Sequence, residues 1–479
     1  MTLNVKLLPD TEMLEETIVV GYGVQKKSDV TGAISQVKSE DIINRTIASP
    51  EQALQGKTAG VQAFASSARP GATPAIRVRG ISSNNDANPL YVVDGRLTSS
   101  IAGIDPNDIE SMEVLKDGAS AAIYGAEAGN GVVMITTRRG KGDGKISYSY
   151  QLSSQSLGKT PKVMNSEQFL QYYLEKGTIG LTDVYGKWDQ HTNTDWLGAS
   201  YENSFMHHHN LTFQAGNDQG SLYISGSYLN NNGMFVGDAD VYDRVTGMVN
   251  ASWKFKPWLD VQTNNQVEYY KSRSISEGSD YGSAVLAALQ LDPMTPVVYE
   301  KGQEPDFILD YLAEGKVLLT DEQGRIYGIS QFNLSENVNP LVQRDRSYSV
   351  GKGFNINGTT ALNLRPFKDL VITSRLGYRF TSSDSYGYSH DYFVNEGYAK
   401  QYYMSISASA NNSMYYQWEN FLNWNHQFGN HNVSLMAGTS YSQTRSYGAS
   451  AGISGSDNGG VIDFGIKRDD PLFYYISQA

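Results

Sequence analysis

The sequence predicts a membrane all-β barrel, partial at about nine antiparallel strands, behind an N-terminal α/β domain. Three observations carry that prediction. From residue 145 onward, apolar and polar residues alternate with period two over stretches longer than the ~5–6 residues usual in soluble sheets. The links between these stretches alternate strictly between short and long. An up-and-down barrel needs this, because its strands end in tight turns on one side of a membrane and in long loops on the other. The composition agrees: 47 Gly, 32 Tyr and 18% charged residues suit strands, turns and aromatic belts.

Composition also excludes several classes. A net charge of -12 with no basic stripe is repelled by phosphate, so nucleic acid is not a partner. The absence of cysteine removes disulfides, thiolate metal sites and cysteine nucleophiles. No apolar run reaches the ~18 residues of a membrane-spanning helix. The first residues lack the basic and apolar regions of a secretory signal, so a mature or truncated form is expected.

Taken in order, residues 1–14 alternate at Leu3, Val5 and Leu7 as one isolated strand. Residues 15–27 form an apolar-then-basic linker. Its strip Glu15, Glu16, Thr17, Ile18, Val19, Val20, Gly21, Tyr22, Gly23 is extended and β-branched, a form that adds as a strand to a partner's sheet edge. Residues 28–144 read as a compact α/β domain. Ser49-Pro50-Glu51 starts a short helix that Gly56 and Gly60 end, and Asp105-Pro106 repeats the start signal. Glu113–Lys116 returns to strand before a helix at 119–123, and Val132, Val133 and Ile135 form a closing buried strand. Asp94-Gly95 is a tight turn between strands. Arg77 and Arg79 alternate with Ile76 and Val78 ahead of Gly80, so both guanidiniums should share one face of a buried strand. Buried guanidiniums need carboxylates, and Asp94, Glu110 and Glu113 are the candidates.

Residues 145–479 carry the barrel strands, near 145–155, 206–216, 220–230, 242–256, 258–272, 348–365, 369–382, 412–428 and 431–446. Tight links fall at 217–219, 256–257, 366–368 and 428–430, and long links at 156–205, 273–347 and 383–411. The segments WKFKPWLDVQ and LNLRPFKDLVI repeat a strand, Pro turn and returning strand, with aromatics where an interface girdle would lie.

The segments IRVRGISS, NPLYVVDGR and IESMEVLKDGASAAIYGAEAGNGVVMITTRRG together resemble the plug domain of TonB-dependent outer-membrane transporters. With Ile18-Val19-Val20-Gly21-Tyr22-Gly23 upstream, the resemblance is to the SusC/RagA-like branch, strong over 15–144 and by pattern beyond. It implies a bacterial outer membrane of Bacteroidetes type, with the lipid bilayer around a barrel of ~22 strands. About nine strands cannot close around a plug, so a longer polypeptide is expected, with residues 1–14 the remnant of an upstream β-sandwich domain. The resemblance further implies import of an oligosaccharide or peptide without any cofactor. TonB, powered through ExbB and ExbD, would pull on Glu15–Gly23, and a SusD-like surface lipoprotein would close over the outer loops. Arg77, Arg79, Gly80, Asp94, Gly95, Glu110, Glu113, Gly125 and Gly131 would be structural or latch positions. Where the family has small residues with an Arg, this chain has Glu127.

Other chemistries have weaker signals. Gly125–Gly131 lacks the Lys-Ser/Thr of a phosphate loop and runs from helix to strand, the reverse of that motif. His207 and His209 share a strand face at a spacing that suits two metal ligands, yet no third ligand completes a site, so no metal is expected. Tyr185, Trp188 and Trp196 in the first long loop are candidates for stacking on sugar rings. Two rival functions are a non-transporting surface structural or adhesive protein and a glycan hydrolase using Asp189 and Asp195. A truncated transporter remnant is a third reading.

Overall fold

The computed structural model describes residues 17–20, 23–26 and 34–454, apart from 44, 46, 66, 82–86, 117–121, 178–179, 181–183, 185–186, 276–282, 333–337, 396–399 and 430. The expected strand in 1–14 lies outside the described residues, as do Glu15, Glu16, Gly21 and Tyr22. Strands β1 (Thr17–Val20) and β2 (Gly23–Lys26) pair antiparallel, Val20 opposite Gly23.

The α/β domain is built on β3 (Ile34–Lys38), β4 (Val61–Phe64), β5 (Ala75–Val78), β6 (Leu90–Val93), β7 (Arg96–Thr98), β8 (Ile109–Leu115) and β9 (Val132–Thr137). Five of these form a mixed sheet in the order β3-β8-β9-β6-β7, in which only β6 and β9 run parallel. Strands β4 and β5 pair separately. Helices α1 (Ser39–Ile43) and α2 (Pro50–Ala53) cover the core, where Ile42, Ile76, Ile109, Met112 and Val114 are fully buried. Pro50 opens α2 where a missing N–H costs nothing, and Gly56 and Gly60 end the segment at positive φ. The helix expected at 119–123 falls mostly outside the described residues, and a 3₁₀ segment covers Ala122–Asn130, kinked at Gly125 with φ of 68°.

The rest is one antiparallel sheet of nine strands, each bonded to its neighbours in chain order. It begins with β10 (Lys145–Gln155), β11 (Ser204–Gly216), β12 (Gly220–Asn232), β13 (Val241–Lys256) and β14 (Leu259–Arg273). The two-residue strands β15 (Val298–Tyr299) and β16 (Ile326–Tyr327) pair with each other inside a loop. The large sheet resumes with β17 (Ser347–Phe367) and β18 (Leu370–Ser389). After the loop pair β19 (Tyr392–Phe393) and β20 (Lys400–Gln401), it ends with β21 (Ser405–Phe428) and β22 (His431–Ser454). All nine expected strands are present, six of them within a few residues of the expected bounds, while β18, β21 and β22 run well past them toward the long-loop end. Both Pro-turn hairpins carry a bulge beside the turn, at Lys254/Lys256 and at Leu364/Phe367.

One face of this sheet turns Leu211, Ile224, Val249, Val267, Leu376 and Leu422 outward, all substantially exposed, as a lipid-facing surface needs. Trp253, Phe255, Trp258, Phe367 and Phe428 gather at the short-turn end, where an interfacial aromatic girdle sits. At the opposite end the long links fold on one another rather than trailing as coil. Helices α3 (Ser166–Glu175), α4 (Trp196–Ser200), α5 (Ala284–Gln290), α6 (Asp306–Ala313) and α7 (Pro340–Asp345) lie there. Thr194 N donates to Pro293 O at 2.8 Å, and the Trp196 indole donates to Asp292 O at 2.8 Å, tying the first long loop to the second.

Candidate functional site at the interface of the α/β domain and the sheet

The concave face of the sheet carries polar residues where the outer face carries apolar ones, because strand residues alternate sides. Those polar residues meet the α/β domain. Asp105 caps the 3₁₀ turn Pro106–Asp108 by accepting from Asn107 N at 2.9 Å. Its other carboxylate oxygen lies 2.7 Å from His208 Nε2 on β11, with both side chains buried. One turn later, Asp108 accepts the Tyr223 hydroxyl of β12 at 2.8 Å. Between these contacts, Arg244 of β13 donates to Ala102 O at 2.7 Å and Gln266 of β14 donates to Gly103 O. A Cβ at Gly103 would meet the Glu268 carboxylate, which would have to shift.

The two carboxylates of this turn are driven apart. Burial raises Asp105, but the hydrogen bond and charge of His208, together with Arg244, outweigh it and hold the group below the ordinary aspartate range. Burial and the neighbouring Asp105 charge push Asp108 up to about 7.

A second set of contacts surrounds the Asp94-Gly95 turn, where φ is 46° and 85° as a two-residue hairpin requires. Asp94 accepts from Thr137 N at 3.1 Å and Thr137 Oγ1 at 2.6 Å, fastening the hairpin to β9. Asn250 of β13 donates to Thr137 Oγ1 and to Arg138 O at 2.8 and 2.7 Å. Leu97 N donates to Gln417 Oε1 at 3.3 Å, and Arg379 donates to Thr98 Oγ1 at 3.1 Å. Arg375, paired with Glu419 at 2.6 Å, lies against Gly95. Arg96 is 4% exposed, and burial together with the Arg379 charge lowers it to about 10.

The arginine expectation is corrected. Strand β5 buries Ile76 and Val78 and leaves the other face half-open, so among the described residues Arg77 donates to Asn88 Oδ1 at 2.5 Å and to its own neighbour Ile76 O at 2.9 Å and meets no carboxylate. Arg79 is exposed and leaves the strand at φ of 59°, ahead of Gly80 at 98°. The three expected carboxylates are engaged elsewhere: Asp94 with Thr137, Glu110 with Lys141 at 2.7 Å, and Glu113 with Gln36 at 3.1 Å. Gly131, at φ of 87°, packs so tightly that a Cβ would press on Val78 and Leu115 O.

The loop expectations also change. Trp196 is 3% exposed and its indole is committed to Asp292 O, so it offers no stacking face. Trp188 is half-buried, with its indole held by Thr192 O at 2.9 Å, and Tyr185 lies outside the described residues. Asp189 accepts from His191 N, Thr192 N and Thr192 Oγ1, and Asp195 caps α4 through Gly198 N. Both carboxylates of the hydrolase reading are thus committed to holding the loop. His207 and His209 face outward against the Tyr150 and Tyr148 hydroxyls, and among the described residues no group of three acidic or histidine side chains gathers.

Sequence reasoning missed His208, Tyr223, Arg244, Asn250 and Gln266 as docking residues. The signal was available: each occupies the polar phase of a period-two strand.

The TonB-dependent Receptor Plug Domain family matches residues 26–132. The chain is 29% identical to TonB-dependent receptor P39 of Formosa agariphila over 91% of its own length and 39% of that protein's. It is 33% identical to TonB-dependent receptor SusC of Bacteroides thetaiotaomicron over 62% of its length and 30% of that protein's. Against the solved structure of the RagAB peptide importer in its closed-closed state, the TM-score is 0.73 at 21% identity, covering 92% of this chain and 51% of the other. The ferric citrate transporter FecA gives 0.52 at 12% identity, covering 88% and 49%. The chain therefore spans well under two thirds of each of these relatives.

Proposed function

We propose that this chain, SusC/RagA-like in its plug and in nine strands of barrel wall, works in TonB-dependent active import of an oligosaccharide or peptide across the bacterial outer membrane. Relatives of this kind are receptors and transporters rather than enzymes, and they belong to the outer membrane. The reading rests mainly on how the plug is docked. Its contacts with the wall are hydrogen bonds and charge pairs with few apolar side chains between them, as at Asp105–His208 and Asp108–Tyr223. An interface of this kind is specific in register, and water can replace its contacts one at a time, which suits a plug that must shift and return. An interface as apolar as a domain core would resist that.

In this reading TonB, driven through ExbB and ExbD, pairs with the strip Glu15–Gly23. The hairpin of β1 and β2 presents Thr17–Val20 in the extended form that strand addition uses. A SusD-like lipoprotein would cover the folded loops at the other end, a partner that the likeness to SusC and to the RagAB peptide importer supports. The domain division follows: residues 15–27 couple, 28–144 plug, and 145–479 form wall and outer loops. The test is uptake of labelled oligosaccharides and peptides by cells expressing the full-length protein with and without residues 15–23. Uptake should vanish on deletion while surface abundance is kept. Undiminished uptake would leave the adhesive or structural reading in its place.

A further inference from the structure

We propose that Arg96, in the plug's β6–β7 hairpin, reaches the barrel wall through one buried water, held also by Asn250 and Asn357 of the wall. A cavity of about 20 Å³ lies there, lined by Asp94, Arg96, Met248, Asn250, Gln266 and Asn357 among others. That is room for about one water, which needs on the order of 10–15 Å³. Three buried polar atoms on these lining residues have no hydrogen-bond partner among the described residues: Arg96 Nη1, Asn250 Oδ1 and Asn357 Oδ1. That all three residues line one cavity is what identifies the site.

The chemistry selects the occupant. The Asn250 amide is fixed in orientation, because its Nδ2 already donates to Thr137 Oγ1 and Arg138 O. Its oxygen is therefore an acceptor toward the cavity, as is Asn357 Oδ1, while Arg96 Nη1 is a donor. A water donates twice and accepts once, which completes all three groups and gives it the usual number of partners. An anion would face two carbonyl oxygens, and a cation would face the Arg96 guanidinium beside Arg379.

The site adds a second kind of contact between plug and wall. At 102–108 the plug grips β11 to β14 directly, through Asp105–His208, Asp108–Tyr223 and the carbonyls of Ala102 and Gly103. At the hairpin, Leu97 and Thr98 also bond the wall directly, while Arg96 reaches it through water. A contact made through water can be remade with another water as the hairpin shifts, so Arg96 is not left unpaired on the way. This consequence rests on the import reading; the water site itself does not.

Radiolytic hydroxyl-radical footprinting of the purified full-length protein tests it, because radicals form at bound water and oxidise the nearest reactive side chain. Met248 lines the cavity at 4% exposure, and Met112, at 0%, is sealed in the plug core and serves as the control. Met248 should oxidise several-fold faster than Met112. In Asn357→Leu, which removes an acceptor and fills space, the Met248 rate should fall to that of Met112, whereas Asn357→Ser, which keeps a hydroxyl and the space, should preserve it. Equal rates in the unsubstituted protein would overturn the site whether or not the variants fold. A fast Met248 unmoved in folded Asn357→Leu would do the same. Neither outcome bears on uptake, which the deletion of 15–23 decides separately.

Discussion

His208 shows how one side chain changes meaning with its face. In a run of three histidines the sequence draws the eye to His207 and His209, whose shared face suits a metal. The structure turns those two toward tyrosines on the outer surface and sends His208 inward to Asp105. Replacing His208 with Leu leaves the Asp105 carboxylate buried without its partner, and should cost about 3–5 kcal/mol of stability. Thermal or denaturant unfolding of the detergent-purified full-length protein would read this loss, and a change under 1 kcal/mol, within the ~0–1 expected of an exposed pair, would refute it. The same turn sets a pH dependence. Asp108 has a folded pKa raised above the ordinary 3.8, so its stabilising contribution is full below that value and is lost as pH rises to about 7. Asp105 has the opposite sign, contributing above 3.8 and losing that contribution as pH falls toward about 2. Stability should therefore decline from about pH 4 to about 7, and Asp108→Asn should flatten that limb while leaving the acid limb in place. An unchanged slope in folded Asp108→Asn would contradict the assignment.

At the level of elements, the strands were legible because period-two alternation and tight turns are local signals, and Lys256-Pro257 and Pro366-Phe367-Lys368 marked two hairpins closely. The plug's Asp94-Gly95 turn was equally legible, since few residues other than Asn, Asp and Gly adopt two successive positive φ values. Which partners these elements meet was not legible. Arg77 and Arg79 looked buried by alternation, yet β5 pairs only with β4 and stops at Val78, so the periodic rule expired one residue too soon. The long links were read as loops, but clusters such as Ile308, Tyr327, Val342 and Tyr392 fold them into an ordered cap, through contacts too distant in sequence to show any period. The hairpin gives a sharp prediction. Gly95→Ala places a methyl group against the Arg375 guanidinium at φ of 85°, displacing a side chain paired with Glu419. A cost on the order of 1–3 kcal/mol is expected from the backbone alone. Faster amide exchange at 92–98 should accompany it, and exchange equal to that of the parent would show that the hairpin does not press on the wall.

For the whole molecule, the sheet and plug form a docked pair whose meeting surface is polar and whose outer surface is apolar, the reverse of a soluble domain. The outward apolar face and the girdle at the short turns were foreseeable from composition and periodicity. The plug's position against β11 to β14 was not, because it depends on pairings more than a hundred residues apart, such as Asp108 with Tyr223. Import on this account requires the plug hairpin to leave the wall. The chain contains no cysteine, which makes a covalent lock specific. With Thr98→Cys and Arg379→Cys in the full-length protein, at the position of the 3.1 Å contact, a short bismaleimide would tie β7 to β18. Uptake of labelled substrate should continue in the untreated double variant and stop on crosslinking, with substrate still bound at the surface. Uptake that persists at full crosslinking would contradict the claim that the plug must move away from this wall.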